Sequence, residues 1–246
     1  MAPTTKPSYT NVPVVLVVDH DPAIRDALSR LFSTVGVRVE LFASAAEFFR
    51  FGAPNGPCCL VIEFRLPFAS GLEVQARLRQ QDVEMPVIFV SGHGDIPMAV
   101  RAMKAGAVDF LPKPIHEQDL LDAVFKALEQ DSQRREEIYA QVQLERLYEA
   151  LTSREREVML HVTSGLMNKQ VAGLMGLSEI TVKVHRGNVM RKMNSRSLAD
   201  LVRKAQALFG NPQELPAVMH VPSGRPAPAP GTGRMASSRA FLVPAA

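Results

Sequence analysis

Residues 151–193 read LTSREREVMLHVTSGLMNKQVAGLMGLSEITVKVHRGNVMRKM. Thr152 and Glu155 have the spacing of a capping box, in which the hydroxyl accepts an amide of the first turn and the carboxylate reaches back. A helix therefore starts here, and Gly165 ends it. A second short helix is predicted over Asn168 to Met175, stopped by Gly176, and Ser178 is a good N-cap for a third. In this third helix Val182, His185, Val189 and Met193 recur at helical spacing and form one face, which is read as core. The opposite face carries Lys183, Val184, Gly187 and Arg191, flanked by Arg186 and Lys192. Two short helices, a tight glycine turn and an amphipathic helix with cations opposite its apolar stripe are the parts needed to enter a DNA major groove. The same pattern also describes a generic helical bundle with a basic surface.

Charge is distributed unevenly along the chain. Residues 1–132 carry a net −4, residues 133–150 −1, residues 151–209 +6 and residues 210–246 +2, within a total of +3. The basic excess thus coincides with the helical module, as a polyanion-binding surface requires, although a merely solvated basic surface gives the same count.

Upstream of the module, from Val14, short apolar runs alternate with amphipathic stretches. The runs Val14 to Val18, Val37 to Phe42, Cys59 to Ile62, Val87 to Val90 and Val108 to Leu111 are rich in β-branched residues, as buried parallel strands are. Helical patterns lie between and after them, over Pro22 to Val35, Ala45 to Phe51, Gly71 to Gln80, Ile96 to Ala105 and onward from Glu117. Such alternation predicts an α/β fold, a flavodoxin-like (βα)5 doubly wound sheet over residues 13–130, with its site at the C-terminal ends of the strands. From Glu117 to about Leu151 there is neither Gly nor Pro, so residues 131–150 read as a helical linker. Ile138, Val142, Leu144, Leu147 and Leu151 form a candidate seam for pairing of two copies. Residues 210–246 hold seven prolines among Ala, Gly and Ser and are expected to be disordered.

A chain of 246 residues suits two compact domains better than one. No run of 18 apolar residues could span a bilayer, and the first 13 residues lack the apolar stretch of an export signal, so a cytoplasmic protein with no membrane partner is expected. Cys58 and Cys59 are adjacent within an apolar run, which suits buried free thiols and neither a disulfide nor a metal site. No Gly-rich phosphate loop, HExxH or GxSxG motif is present, so an enzyme is not expected.

The segments Leu151 to Val158, Asn168 to Ala172 and Thr181 to Met193 closely resemble the LuxR-type helix-turn-helix. The resemblance implies an all-α four-helix domain over residues 151–209, its last helix from Ser197 to Phe209 supporting a homodimer on a two-fold site in double-stranded promoter DNA. By the family's pattern Lys183 and Val184 meet base edges, Lys169, Arg186, Arg191 and Lys192 are phosphate candidates, and Thr181 and Gly187 complete the DNA-facing set. Gly187 departs from members that carry a basic reader there, and the bare backbone suits close approach.

The α/β domain, above all Ser91 to Pro114, resembles the receiver domain of two-component response regulators, and both domains together resemble the FixJ/NarL class. A sensor histidine kinase and RNA polymerase are the partners this implies. In the family's pattern Asp19 holds the first acid position, Ser91 the hydroxyl position and Lys113 the lysine position before Pro114, a bond for which the cis form is accessible. Phe110 matches the aromatic that reorients on activation, and the Gly92 to Asp95 segment with His93 falls in a loop.

Two positions depart. His20 stands where the second Mg²⁺-binding acid belongs, leaving Asp19 and Asp21 as weakened metal candidates, because Mg²⁺ prefers oxygen ligands in exacting octahedral geometry. Glu63 replaces the phosphoacceptor aspartate, and its extra methylene moves the carboxylate outward by about 1.5 Å, enough to spoil an in-line attack. Several outcomes stay open: a DNA-binding regulator working without phosphate, either with Glu63 holding Lys113 and Ser91 or with a decayed site that leaves a dimerising scaffold; a conventional phosphorelay on a non-standard site; and an interaction module that sequesters a kinase or another regulator without binding DNA.

Overall fold

Val14–Val18 (β1) is buried at all five residues because it runs through the middle of a sheet covered on both faces. The computed structural model describes residues 12–92 and 96–210. The loop residues His93 and Asp95 and the tail beyond Gly210 lie outside the described residues. The chain divides into two compact units, one running through Arg135 and the next beginning at Glu136.

In the first unit, α1 (Pro22–Thr34) is capped by Asp21 and primed by a proline at its start. It is followed by β2 (Arg38–Phe42), α2 (Ala45–Phe51) and β3 (Cys58–Glu63). A two-stranded hairpin, β4 (Arg65–Leu66) with β5 (Ala69–Ser70), then leads into α3 (Gly71–Gln80). β6 (Val87–Ser91), α4 (Ile96–Lys104), β7 (Asp109–Pro112) and α5 (Glu117–Glu149) complete the unit and leave it. The five-stranded sheet has the order β2-β1-β3-β6-β7, every pair parallel. Alternate residues feed opposite layers: Leu16, Leu60, Ile62 and Phe89 pack with Phe48, Val74, Leu78 and Met98, whereas Val15, Val17, Val61 and Ile88 pack with Phe32, Leu120, Val124 and Leu128. This is the doubly wound sheet predicted from the βα alternation, and no helix of the described residues is long and apolar enough to cross a membrane.

Element bounds shift by a residue or two where turns claim the ends. Val37 closes the turn after α1 through its amide to the Phe32 carbonyl (3.0 Å), so β2 begins one residue later. β3 begins one residue earlier than expected, because the Cys58 amide is held by the carboxylate of Asp131 at 2.9 Å. Asp131 is completely buried and also receives Arg134 (2.5 Å) and Arg135 (2.6 Å). Burial, followed by the charge of Asp131, pushes the Cys58 thiol up to about 12, and burial pushes Cys59 higher still, so both remain protonated and unreactive.

The second unit contains α6 (Ser153–Thr163), α7 (Asn168–Met175), α8 (Glu179–Lys192) and α9 (Leu198–Phe209). The capping box of Thr152 and Glu155 is closed in both directions, at 3.3 and 2.8 Å. Gly176 ends α7 in the left-handed region, with φ 64°. Val182, Val189 and Met193 are buried as the apolar face predicts, but His185 is only half-buried, since it sits at the edge of that face.

The candidate seam on the linker is corrected. Leu144, Leu147 and Leu151 join Met159, Val189, Met193 and Leu201 in the core of the second unit, leaving Ile138 and Val142 exposed. A heptad-like spacing is satisfied within one copy.

Candidate functional site

The sheet order reverses direction at β1, with β2 on one side and β3 on the other, which opens a crevice at the strand ends. Asp19 follows β1, Glu63 ends β3, Ser91 ends β6 and Lys113 follows β7, so four of the sequence-selected residues converge there. Asp19 (1% exposed), Glu63 (5%) and Ser91 (1%) are buried. The Lys113 ammonium donates to Asp19 Oδ2 at 2.6 Å and to Glu63 Oε2, bridging the two carboxylates. The backbone fixes Lys113 as well: its amide bonds the Ser91 carbonyl (2.8 Å), and the Lys113–Pro114 peptide is cis. Phe110 is half-buried, edge-on to Phe64 with ring centroids 5.6 Å apart.

Burial disfavours the Lys113 ammonium, but hydrogen bonds and charges from Asp19 and Glu63 outweigh that effect and raise its pKa above the ordinary 10.5. A raised folded-state value stabilises the fold fully below 10.5, and the contribution disappears as pH rises through that higher value. The midpoint of receiver unfolding in urea is expected to fall as pH rises from 10.5 through that value, and the part of the fall due to this pair is expected to vanish in Lys113→Met.

Magnesium chemistry is the family's usual use of such a pocket, and the donors here do not suit it. Both Asp19 oxygens are engaged, Oδ1 by the Asp21 amide (2.9 Å) and Oδ2 by Lys113. Asp21 Oδ1 caps α1 through the Ala23 amide (2.9 Å). His20 presents an imidazole that is half exposed, 3.8 Å from Asp19. Among the described residues no three His, Cys, Asp or Glu side chains are grouped as a metal site needs.

Sequence reasoning missed two supporting residues. Arg25 donates to the Asp19 carbonyl at 2.7 Å, one helical turn beyond the acid cluster. Gly71 begins α3 where a Cβ would stand 2.7 Å from the Phe89 ring and 3.0 Å from the Glu63 carbonyl, so only glycine lets α3 start against the pocket floor.

In the second unit, Lys169, Lys183, Val184, Gly187 and Arg191 are exposed, and Thr181 is half-buried beside the N-cap Ser178, whose hydroxyl lies 2.8 Å from its own. Arg186 donates to Asn168 Oδ1 at 3.2 Å, tying α8 to the start of α7. Lys192 is engaged within the module, with its ammonium on Glu155 (2.6 Å) and the Ala150 carbonyl (3.2 Å). Burial would raise the Glu155 pKa, but bonds from Lys192 and Thr152 outweigh it and hold it below the ordinary value. Lys192 therefore fastens the end of α8 to the start of α6. Its place on the helix face gave no sign of this, because Glu155 lies 37 residues away.

A doubly wound sheet with this strand-end pocket, followed by a capped helix-turn-helix, defines a two-domain signalling regulator. The family description "Response regulator receiver domain" matches residues 15–125, and "Bacterial regulatory proteins, luxR family" matches residues 149–205. The chain belongs to the DNA-binding response regulators that join these two domains. It is 51% identical over 195 residues to nodulation protein W of Bradyrhizobium diazoefficiens, covering 79% of this chain and 86% of that one. It is 40% identical over 191 residues to transcriptional regulatory protein FixJ of Azorhizobium caulinodans, covering 78% and 90%. Among solved structures, response regulator StyR matches with a TM-score of 0.74 at 47% identity, covering 79% of this chain and 98% of that one.

Proposed function

We propose that this response regulator binds promoter DNA as a homodimer, with α8 in the major groove, and that its receiver works without an aspartyl phosphate. The observation that carries the second half is the Lys113 ammonium, already bonded to Glu63 and Asp19. In a phosphorylated receiver the lysine at this position holds a phosphoryl oxygen. Here a glutamate carboxylate supplies that anion permanently, with no bond to make or break. The longer glutamate side chain and the missing second acid both weigh against an in-line phosphoryl transfer at this pocket. On this reading no Mg²⁺ is used, a sensor histidine kinase is a docking partner and not a phosphoryl donor, and RNA polymerase is met at the promoter in the cytoplasm.

DNA recognition rests on the exposed edge of α8. On this reading Lys183, exposed on α8, gives hydrogen bonds to a base edge, while the exposed Lys169 and Arg191 meet phosphates. Lys183→Ala is expected to lower affinity for a selected duplex by about 1–3 kcal/mol and to relax specificity at one base pair. Fluorescence anisotropy over a salt series checks this. Binding that is salt-independent, or equal in the variant, would instead point to an interaction module that leaves DNA alone.

A further inference from the structure

Resting on the DNA-binding reading above, we propose that α8 reads its half-site mainly by apolar contact with thymine 5-methyl groups, through Ile180, Val184 and the bare backbone at Gly187. Ile180 is 78% exposed and Val184 59% exposed, one helical turn apart, and Gly187 lies a turn further along the same edge. The buried residues of α8, Val182 and Val189, lie on its other side. All three exposed residues disfavour an isolated helix: the β-branched pair through restricted χ1, and glycine through backbone entropy. Nothing inside the module repays this. Apart from its chain neighbours and the helix's own nearby backbone, no described atom lies within 4 Å of where a Gly187 Cβ would stand, and Gly187 has no left-handed backbone that would demand glycine.

The occupant of this edge follows from its borders. Lys169, Lys183 and Arg191 are exposed around it, so the surface is an apolar strip set among cations. A polyanion with an apolar feature at helix depth matches that description, and in the major groove of unmodified DNA the 5-methyl group of thymine is that feature. The absent side chain at 187 lets the helix axis sit closer to the base edges than a lysine or arginine would allow. Lys183 then remains as the hydrogen-bonding reader at the strip's margin, suited to guanine.

The test uses the full chain and a duplex enriched from a random library by that chain, with each thymine replaced in turn by deoxyuridine, which removes only the methyl group. At one or two positions in each half-site the replacement is expected to weaken binding about fourfold, the worth of one buried methyl. The penalty at one of these positions should disappear in Val184→Ala, because the two losses share one contact. Gly187→Ala is expected to raise the thermal midpoint, since alanine favours the helix, and yet to weaken binding to the enriched duplex. Deoxyuridine tolerated at every position, together with undiminished binding by Gly187→Ala, would overturn the thymine reading while leaving DNA binding intact. Failure of any duplex to enrich would overturn DNA binding itself, and the thymine reading with it.

Discussion

Lys113→Met is expected to destabilise the receiver unit by about 3 kcal/mol or more, because it removes the one cation shared by two buried carboxylates and leaves them facing each other. Asp19 and Glu63 have side chains only 1% and 6% exposed, so solvent screens the two carboxylates poorly. If charge is the cause, adding Glu63→Gln to Lys113→Met should recover much of the loss, since one of the two facing charges is then gone. Urea unfolding of the full chain, followed by hydrogen exchange at the β1 and β3 amides, separates this transition from that of the second unit. A loss under about 1 kcal/mol would mean that the pair behaves as an exposed surface bridge.

Asp131→Ala is expected to cost a similar amount, about 3–5 kcal/mol, by a different route. Its carboxylate is wholly buried and satisfies Arg134, Arg135 and the Cys58 amide at once. Removing it leaves two guanidinium groups without their shared anion and a backbone donor at the start of β3 without its acceptor. Asp131→Asn keeps an acceptor for the amide and should cost less. Exchange of the Cys58 amide is the local readout: it should accelerate in Asp131→Ala well beyond the average for the receiver. Unchanged protection at Cys58 would place the loss elsewhere.

Most of the architecture was legible in the sequence because its signals are local. Strands such as Val14–Val18 are short β-branched runs buried on both faces, and the helices of the second unit carry their own punctuation at Thr152, Gly176, Ser178 and Ser197. The βα alternation set a site at the C-terminal strand ends, and the resemblance to receiver domains singled out Asp19, Glu63, Ser91 and Lys113 there. What could not be read depends on partners distant in sequence. Asp131 looks like one more helix-surface acid until its acceptor role at Cys58, 73 residues away, is known. Lys192 sits beside the reading face by helical geometry, yet its long side chain turns back to Glu155. Gly71 reads only as the start of a helical pattern, and the Phe89 ring and Glu63 carbonyl beside it explain why it is glycine. The hairpin of β4 and β5 has two residues per strand, too short for any period to show. The spacing of Leu144, Leu147 and Leu151 marks an apolar stripe without saying whether the same chain or another covers it.

Control by the receiver is tested most directly by treating the full chain with acetyl phosphate and Mg²⁺, then measuring intact mass and DNA affinity on the same sample. The expected result is an unmodified mass and an affinity equal to that of untreated protein. A phosphoryl adduct that disappears in Glu63→Gln, accompanied by tighter DNA binding, would contradict a receiver held by its glutamate and show a phosphorelay acting through a non-standard site.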